Sequence, residues 1–585
     1  MENYKFGTAM KKLAIYCKKY YFPIIFAFAL SICGTVFNII GPDKLSEVIN
    51  KIAEGMMLPT GIDTDGVLKI IKILIILYGL GFVFNTVQGV IMATCTQKIT
   101  NKMRTDISQK INKIPLKYFD QTTVGDTLSR VTNDVDTIGQ SLNQSIGTLV
   151  SGITMFFGSM FMMLKTNWIM TAAGVLATII GFVLMIMITK KSQKYFVRQQ
   201  EELGRLNGQI EETYTGHNVI KAYNDTHREI TKFHEINDKL FESAWKSQFL
   251  SGLMMPLMTF IGNLGYVAVC ITGAVLVQRG DTEFGTIVAF MMYIRLFTQP
   301  LAQMAQAVTS LQSTAAASTR VFRFLQEEEL SDESGKNTAI DTIKGNVVFD
   351  HVKFGYTSDK TIINDFNLEV KQGQKVAIVG PTGAGKTTLV NLLMRFYEIN
   401  EGSIKIEGVS TKDLTREQVH SMFGMVLQET WLFEGTIKDN IRYNMHDVSD
   451  EQIIEASKAV GLDHFIKTLP KGYDTILDDK TNLSSGQKQL VTIARAMVLN
   501  APMLILDEAT SSVDTRTEEL IQKAMDQLTI GRTSFVIAHR LSTIKNADII
   551  LVLKDGDVVE SGNHGELLKK GGVYADLYNS QFETA

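Results

Sequence analysis

Eight consecutive residues, Gly380-Pro381-Thr382-Gly383-Ala384-Gly385-Lys386-Thr387, have the types and spacing to hold a chain of phosphates. They fit G-x-x-x-x-G-K-[ST], in which glycines let backbone N–H groups turn inward around the anion. The apolar run Lys375-Val376-Ala377-Ile378-Val379 before them reads as a buried strand, and Thr388–Met394 after them has helical spacing. The following helix adds the partial positive charge of its N-terminus. In such a loop Lys386 reaches the β- and γ-phosphates and the Thr387 hydroxyl holds Mg2+. A chance glycine-rich turn is the bland reading, and the flanking strand and helix speak against it.

Further along, Met503-Leu504-Ile505-Leu506-Asp507-Glu508 is an apolar strand ending in two carboxylates. There Asp507 would hold Mg2+ through water, and Glu508 would polarise an attacking water. Phe535-Val536-Ile537-Ala538-His539 is a second such strand, with His539 at its tip for the γ-phosphate. Tyr356 precedes the phosphate loop, where an adenine could stack on its ring; a surface-turn tyrosine is the plain alternative. Together these residues describe ATP and Mg2+ chemistry.

The elements that must carry them fall into two halves. At 585 residues the chain exceeds one core, so at least two domains are expected. Formal net charge is −3, which gives no electrostatic case for nucleic acid. The mean hydropathy of +0.07 averages a strongly apolar first half with a second half of α/β character. Cys17, Cys33, Cys95 and Cys270 all lie in the apolar half at no metal-ligand spacing, so no disulfide framework or zinc site is expected. Six stretches approach the ~20 apolar residues a membrane span needs, at 22–40, 68–93, 146–164, 169–189, 254–277 and 285–308. No small-residue cleavage site follows the first of them, so it is expected to stay as a span.

Lysines 11, 12, 18 and 19 precede the first span, and the 41–67 loop after it is acid-rich. The stretches 94–145 and 190–253 are rich in Lys and Arg, which puts them and both termini in the cytoplasm. Both continue helical periodicity beyond the spans and break at 118–126 and 211–221, where short transverse helices are expected. Arg295 is the exceptional charge within a span; it reads as a cavity-lining contact for an anionic or amphipathic substrate, or equally as half of an internal pair or a side chain that snorkels to the interface. Asn85, Gln88 and Asn263 are weaker candidates. Methionine clusters such as Met160-Phe161-Met162-Met163 suit a surface that repacks around varied ligands, although packing or lipid contact is the commoner use. The resulting domain plan is a membrane domain over 1–325, an exposed linker over 326–344 and an ATPase domain over 345–585. Val347–Phe349 and Val352–Phe354 read as the first two strands of the last.

Leu483-Ser484-Ser485-Gly486-Gln487 resembles the LSGGQ signature of the ABC transporter family, at the start of a helix. Gln428 resembles the family's Q-loop glutamine, Ser511-Ser512-Val513-Asp514 its D-loop and His539 its switch histidine. With six spans in front, nearly the whole chain is similar to exporters that fuse a membrane domain to an ATPase domain. The resemblance implies an all-α six-helix transmembrane domain followed by an α/β P-loop ATPase domain. It implies catalytic roles for Glu508, His539, Lys386 and Gln428. It implies ATP contacts from Tyr356, Gly380 through Thr387, Thr388, Leu483 through Gln487 and Asp514, and Mg2+ contacts from Thr387, Gln428 and Asp507. It also implies two chains sandwiching two nucleotides, in a bacterial plasma membrane, driving export of amphipathic, multidrug-type compounds. A lipid or lipid-linked flippase is the alternative. Two departures stand out. Ser485 replaces the signature's first glycine, and Thr475–Asn482 lacks the usual G-E-x-G pattern. Both resemble chains that work as one half of a heterodimer, so a related second chain is expected, with a homodimer as the alternative.

Overall fold

The computed structural model describes residues 6–59, 61–336, 338–340, 342–357, 360–428, 430–478, 483–507, 514–538 and 541–582. The chain divides into two compact units. One comprises residues up to Asn112 and Val124–Glu327; the other comprises Lys113–Thr123 and the chain from Glu328 onward.

Among the described residues of the first unit six helices are long and apolar enough to cross a membrane. They are Tyr21–Met57, Thr64–Ile111, Val124–Thr166, Trp168–Thr215, Met254–Gln278 and Phe284–Leu325. Five run well past the ~20 residues of a span, because their polar extensions keep helical periodicity after the apolar stretch ends. The first also differs from the acid-rich loop expected after residue 40: it continues through Pro42 to Met57. Pro42 is buried against neighbouring helices, where a proline inside a membrane helix is tolerated. Beside it Gly41 lets Tyr78 approach, since a β-carbon there would stand 2.2 Å from the tyrosine hydroxyl. The core of this unit gathers Ile39, Met163, Met170, Val269, Phe290 and Tyr293, with Phe297 stacked on Phe156 at 4.7 Å.

The third long helix is not a uniform α-helix. Arg130–Asp134 and Ser141–Ser145 are wide π turns. Asp134, next to the sixth helix, binds Arg320 Nε at 2.9 Å, and Ser145 meets Ser310 at 2.9 Å. The second polar excursion breaks as its sequence suggests, into the short helix His217–Ala222 followed by Thr226–Gly252. Tyr214, Val219 and Tyr223 around that break are more than half exposed.

Among the described residues the second unit holds three sheets, the smallest pairing Gly435–Thr436 with Ile476–Leu477. A mostly parallel six-stranded sheet runs in the order Asp557–Gly562, Ile549–Lys554, Lys375–Val379, Thr533–Ile537, Met503–Asp507 and Phe423–Val426. An antiparallel sheet of four runs Ile363–Val370, Val347–Phe354, Glu401–Ile406 and Val409–Ser410. The two strands expected at 347–354 are one strand. A bulge at Asp350–His351, with His351 at φ 49°, breaks the alternation that made it look like two. The short helix Leu116–Asp120 also belongs to this unit, and the Tyr397 hydroxyl donates to Asp120.

The linker is largely exposed, as expected, but it is tied down at two points. Glu333 binds Arg395 at 2.9 Å and Arg416 at 3.0 Å, and it accepts the Arg416 N–H at 2.6 Å. Lys336 donates to the carbonyls of Lys412 and Leu414. Burial raises the Glu333 carboxyl, but the Arg416 N–H, Lys336 and the two arginines outweigh it and hold the group below the usual glutamate range. Glu333 and Lys336 thus anchor a segment whose other charges, Glu328, Glu329 and Asp332 among them, are exposed as expected.

Candidate functional site

Strand register decides which residues can share a site. Ile378 pairs with Ile537, Ile537 with Asp507, and Leu506 with Val426. The carboxyl ends of four parallel strands therefore stand in line, the edge where open α/β sheets bind ligands. That edge collects Gly380, Ala538, Asp507 and the turn holding Gln428. Glu508 and His539 follow Asp507 and Ala538 in the chain and lie outside the described residues, as do Ser511, Ser512 and Val513.

The phosphate loop owes its shape to glycines at positive φ. Gly380 has φ 152°, and a β-carbon on it would stand 2.2 Å from the Leu553 carbonyl oxygen. Gly385, at φ 100°, leads into the helix Lys386–Leu393. Within the loop Lys386 Nζ donates to the Gly380 carbonyl at 2.8 Å and the Pro381 carbonyl at 3.0 Å, and Ala384 N–H donates to Pro381 at 3.2 Å. Partial burial lowers the Lys386 ammonium from its ordinary range, while the Asp507 charge acts the other way. The loop is thus curled around its own lysine, with Thr382, Gly383 and Thr387 on its course and Ala384 buried beneath it.

Tyr356 is half-buried. Its ring meets Phe354 and Tyr397 edge-on, each with centroids 5.0 Å away, and its hydroxyl lies 3.2 Å from Thr388 Oγ1. Thr388 is buried in the first turn of the phosphate-loop helix, so the hydrogen bond joins the tyrosine to that turn. Gln428 is exposed just beyond its strand.

The signature residues form a separate, well-capped helix start. Ser484 Oγ accepts the Gln487 N–H at 3.2 Å, and Gln487 Oε1 accepts the Ser484 N–H at 2.9 Å. This reciprocal box fixes the start of the helix Ser485–Leu499. Leu483 and Gly486 are buried, whereas Ser484 and Ser485 are exposed. The serine at the departing position therefore leaves the helix start intact and presents its hydroxyl outward. Asp514 caps the helix Thr515–Thr529 by accepting the Thr517 N–H at 2.9 Å, and that bond keeps its carboxyl below the usual range.

In the membrane unit Arg295 is exposed on the sixth helix. Gln299, Gln303 and Gln306 are exposed at successive turns of the same face, while Tyr293, Ile294 and Phe297 pack inward. Asn85 and Asn263 are exposed and Gln88 is half-buried.

Two family models match the chain: one described as the ABC transporter transmembrane region over residues 24–301, the other as ABC transporter over residues 363–511. The chain belongs to the ABC transporter family. It is 45% identical to a fatty acid ABC transporter ATP-binding/permease protein of Mycobacterium bovis, over 88% of this chain and 82% of the relative. It is 38% identical to an uncharacterized ABC transporter ATP-binding protein of Bacillus subtilis, over 96% and 92% of the two chains. An ATP-dependent lipid A-core flippase of Syntrophus aciditrophicus is 34% identical over 85% and 82%. The ATP-binding domain and the multi-pass membrane domain of this ABC transporter are thus fused in one chain. Motif reading passed over Tyr397, which meets the Tyr356 ring edge-on, and the tyrosines of the C-terminal helix, which line a cavity beside the phosphate loop. The spacing of Tyr574, Leu577 and Tyr578 after Gly571-Gly572 was the available signal for the latter.

Proposed function

We propose that this ABC transporter uses ATP hydrolysis to export lipid-type amphiphiles with an anionic head group, fatty acids being the nearest class. The observation that carries this reading is the 45% identity, over most of both chains, to a relative named for fatty acid transport. The exposed Arg295 with its line of glutamines supports it, offering a cation and amide donors to a carboxylate within an apolar helix. Export of varied amphipathic drugs is the second reading, favoured by the methionine-rich spans.

In the ATPase unit, Gly380–Thr387 wraps the phosphates, Lys386 neutralises charge between the β- and γ-phosphates, and Tyr356 stacks on adenine. Glu508 orients and deprotonates the attacking water, and His539 holds the γ-phosphate. The oxygen donors of Thr387, Gln428 and Asp507 are of the type Mg2+ takes. Bound there, the ion would neutralise developing phosphate charge. Leu483–Gln487 and Asp514 serve the nucleotide of a second chain, since one chain carries one phosphate loop and one signature. Ser485 and the Thr475–Asn482 segment favour a related but distinct partner. Both termini lie on the cytoplasmic face of a bacterial plasma membrane.

The test is ATPase activity in reconstituted vesicles. Long-chain fatty acids are expected to stimulate hydrolysis at lower concentration than cationic amphiphiles of equal chain length. Equal stimulation by both would transfer the function to the multidrug reading.

A further inference from the structure

The chain enters its first membrane helix through a short helix of its own. Phe6–Tyr16 is followed by a tight 3-10 turn, Cys17–Tyr20, and then by Tyr21–Met57. One face of the short helix is occupied. Ala9, Leu13 and Cys17 are buried, and the Tyr16 hydroxyl donates to Asp106 of the second long helix at 2.6 Å. The Tyr16 ring meets Phe322 edge-on at 5.6 Å, with Lys102 Nζ 4.7 Å from the ring centre. Lys12 Nζ donates to Gln326 Oε1 at 2.8 Å. Phe322 stands in the last turn of the sixth helix and Gln326 caps it, so these contacts tie the short helix to the end of Phe284–Leu325.

The opposite face is uncovered and has two characters at once. Lys11 and Ile15 are exposed one helical turn apart, Ile15 by 59%. Lys18 and Lys19 are exposed in the turn, and Phe22, 84% exposed, follows where the membrane helix begins. No acidic residue occurs between Phe6 and Pro42, so the face carries unbalanced positive charge along its own segment. Water suits the lysines and not Ile15 or Phe22; hydrocarbon suits the reverse. The head-group layer suits both, because apolar side chains dip into the acyl boundary while ammonium groups stay among the head groups.

We propose that this face is a docking surface for anionic lipid head groups, and that lipid bound there is felt at the end of the sixth helix through Tyr16 and Lys12. The occupant is a lipid and not a soluble anion, because Ile15 and Phe22 flank the lysines and call for an apolar neighbour. Each lysine at such a surface strengthens the attraction to anionic lipid about fivefold. The sixth helix carries Arg295 and leads through the linker to the ATPase domain, so its end is a place where lipid composition can act on the transporter.

Amide hydrogen exchange of the full-length protein tests this in nanodiscs of phosphatidylcholine alone and of an equimolar mixture with phosphatidylglycerol. Phosphatidylglycerol is expected to slow exchange about fivefold or more in the peptides covering Phe6–Tyr20 and Val321–Gln326. Lys11→Gln, Lys18→Gln and Lys19→Gln together remove both effects, and the three corresponding Lys→Arg changes keep them. Tyr16→Phe with Lys12→Gln keeps the effect on Phe6–Tyr20 and removes it from Val321–Gln326. Equal exchange in the two lipids reduces the lysines to setting orientation and overturns the proposal. So does a lipid effect that survives the three Lys→Gln changes, which places the anion elsewhere in the membrane domain. So does protection by inorganic phosphate in phosphatidylcholine discs, which makes the occupant a soluble anion. An effect on Val321–Gln326 that survives Tyr16→Phe with Lys12→Gln overturns the route through those two side chains.

Discussion

At the scale of single residues, the site divides into positions set by backbone shape and positions set by charge. Gly380→Ala places a methyl group against the Leu553 carbonyl, so it is expected to displace the loop and weaken ATP binding at least tenfold in equilibrium titration, about 1.4 kcal/mol. Glu508→Gln should keep ATP affinity and lose on the order of 10²–10⁴-fold in turnover; a rate within a few-fold of wild type would remove its role as general base. Arg295→Ala should raise the concentration of a fatty acid needed for half-maximal stimulation about tenfold and leave the response to uncharged amphiphiles in place, with Arg295→Lys intermediate. If both classes of amphiphile shift together, Arg295 supports the helix instead. Gly380 and Glu508 stand out in the sequence because the proposed phosphate chemistry demands particular types at fixed spacing, whereas Arg295 stands out only as a charge within an apolar run. Tyr397 was not, since its contact with Tyr356 joins positions 41 apart that no local pattern links.

At the scale of elements, helix starts and ion-pair networks decide what stays in place. Ser484→Ala removes one half of the capping box and should cost about 1 kcal/mol of stability in the ATPase unit, seen as a lower melting transition. Glu333→Ala should cost more, about 2 kcal/mol, because it removes one of the two carboxylates that pair with the buried Arg395, Glu398 being the other. The folded Glu333 carboxyl titrates below its unfolded value, so its contribution is complete above the ordinary glutamate range and fades as pH falls through the folded value. The wild-type advantage over Glu333→Ala should therefore shrink in acid; a constant gap would show that the carboxylate charge is not what matters. The long apolar helices and the strand before the phosphate loop were readable from periodicity. The anchored linker was not, because Glu333 finds its partners 62 and 83 residues downstream, at Arg395 and Arg416. The helix through Pro42 escaped for a related reason: only its packed neighbours make a proline acceptable there.

At the scale of the whole molecule, each chain carries one phosphate loop and one signature, so its ATPase output depends on what it is paired with. If the proposed heterodimer is right, the chain expressed alone is expected to bind ATP with little substrate-stimulated hydrolysis, and co-expression with a related second chain should raise stimulated turnover at least tenfold. A purified homodimer with full stimulated activity would overturn the heterodimer. Saturating ATP should raise the melting transition of the ATPase unit alone, by about 2.7 kcal/mol at one hundred times Kd. Fold class was plain at this scale because two sharply different compositions meet in one sequence; the identity of a partner was not, since in the proposed assembly the residues that complete the site are absent from this sequence.

The two π turns of the third membrane helix have a consequence for how this sequence can change length. In a regular helix, removing one residue swings everything downstream by about 100° and turns a packed face away from its neighbours. A π turn already holds one residue more than the regular spiral needs. Deleting a single residue within Arg130–Asp134 or Ser141–Ser145 would tighten that turn and leave the downstream face toward the sixth helix in register. Related chains are thus free to differ by one residue at these two places, and one-residue deletions elsewhere along Val124–Thr166 should abolish expression.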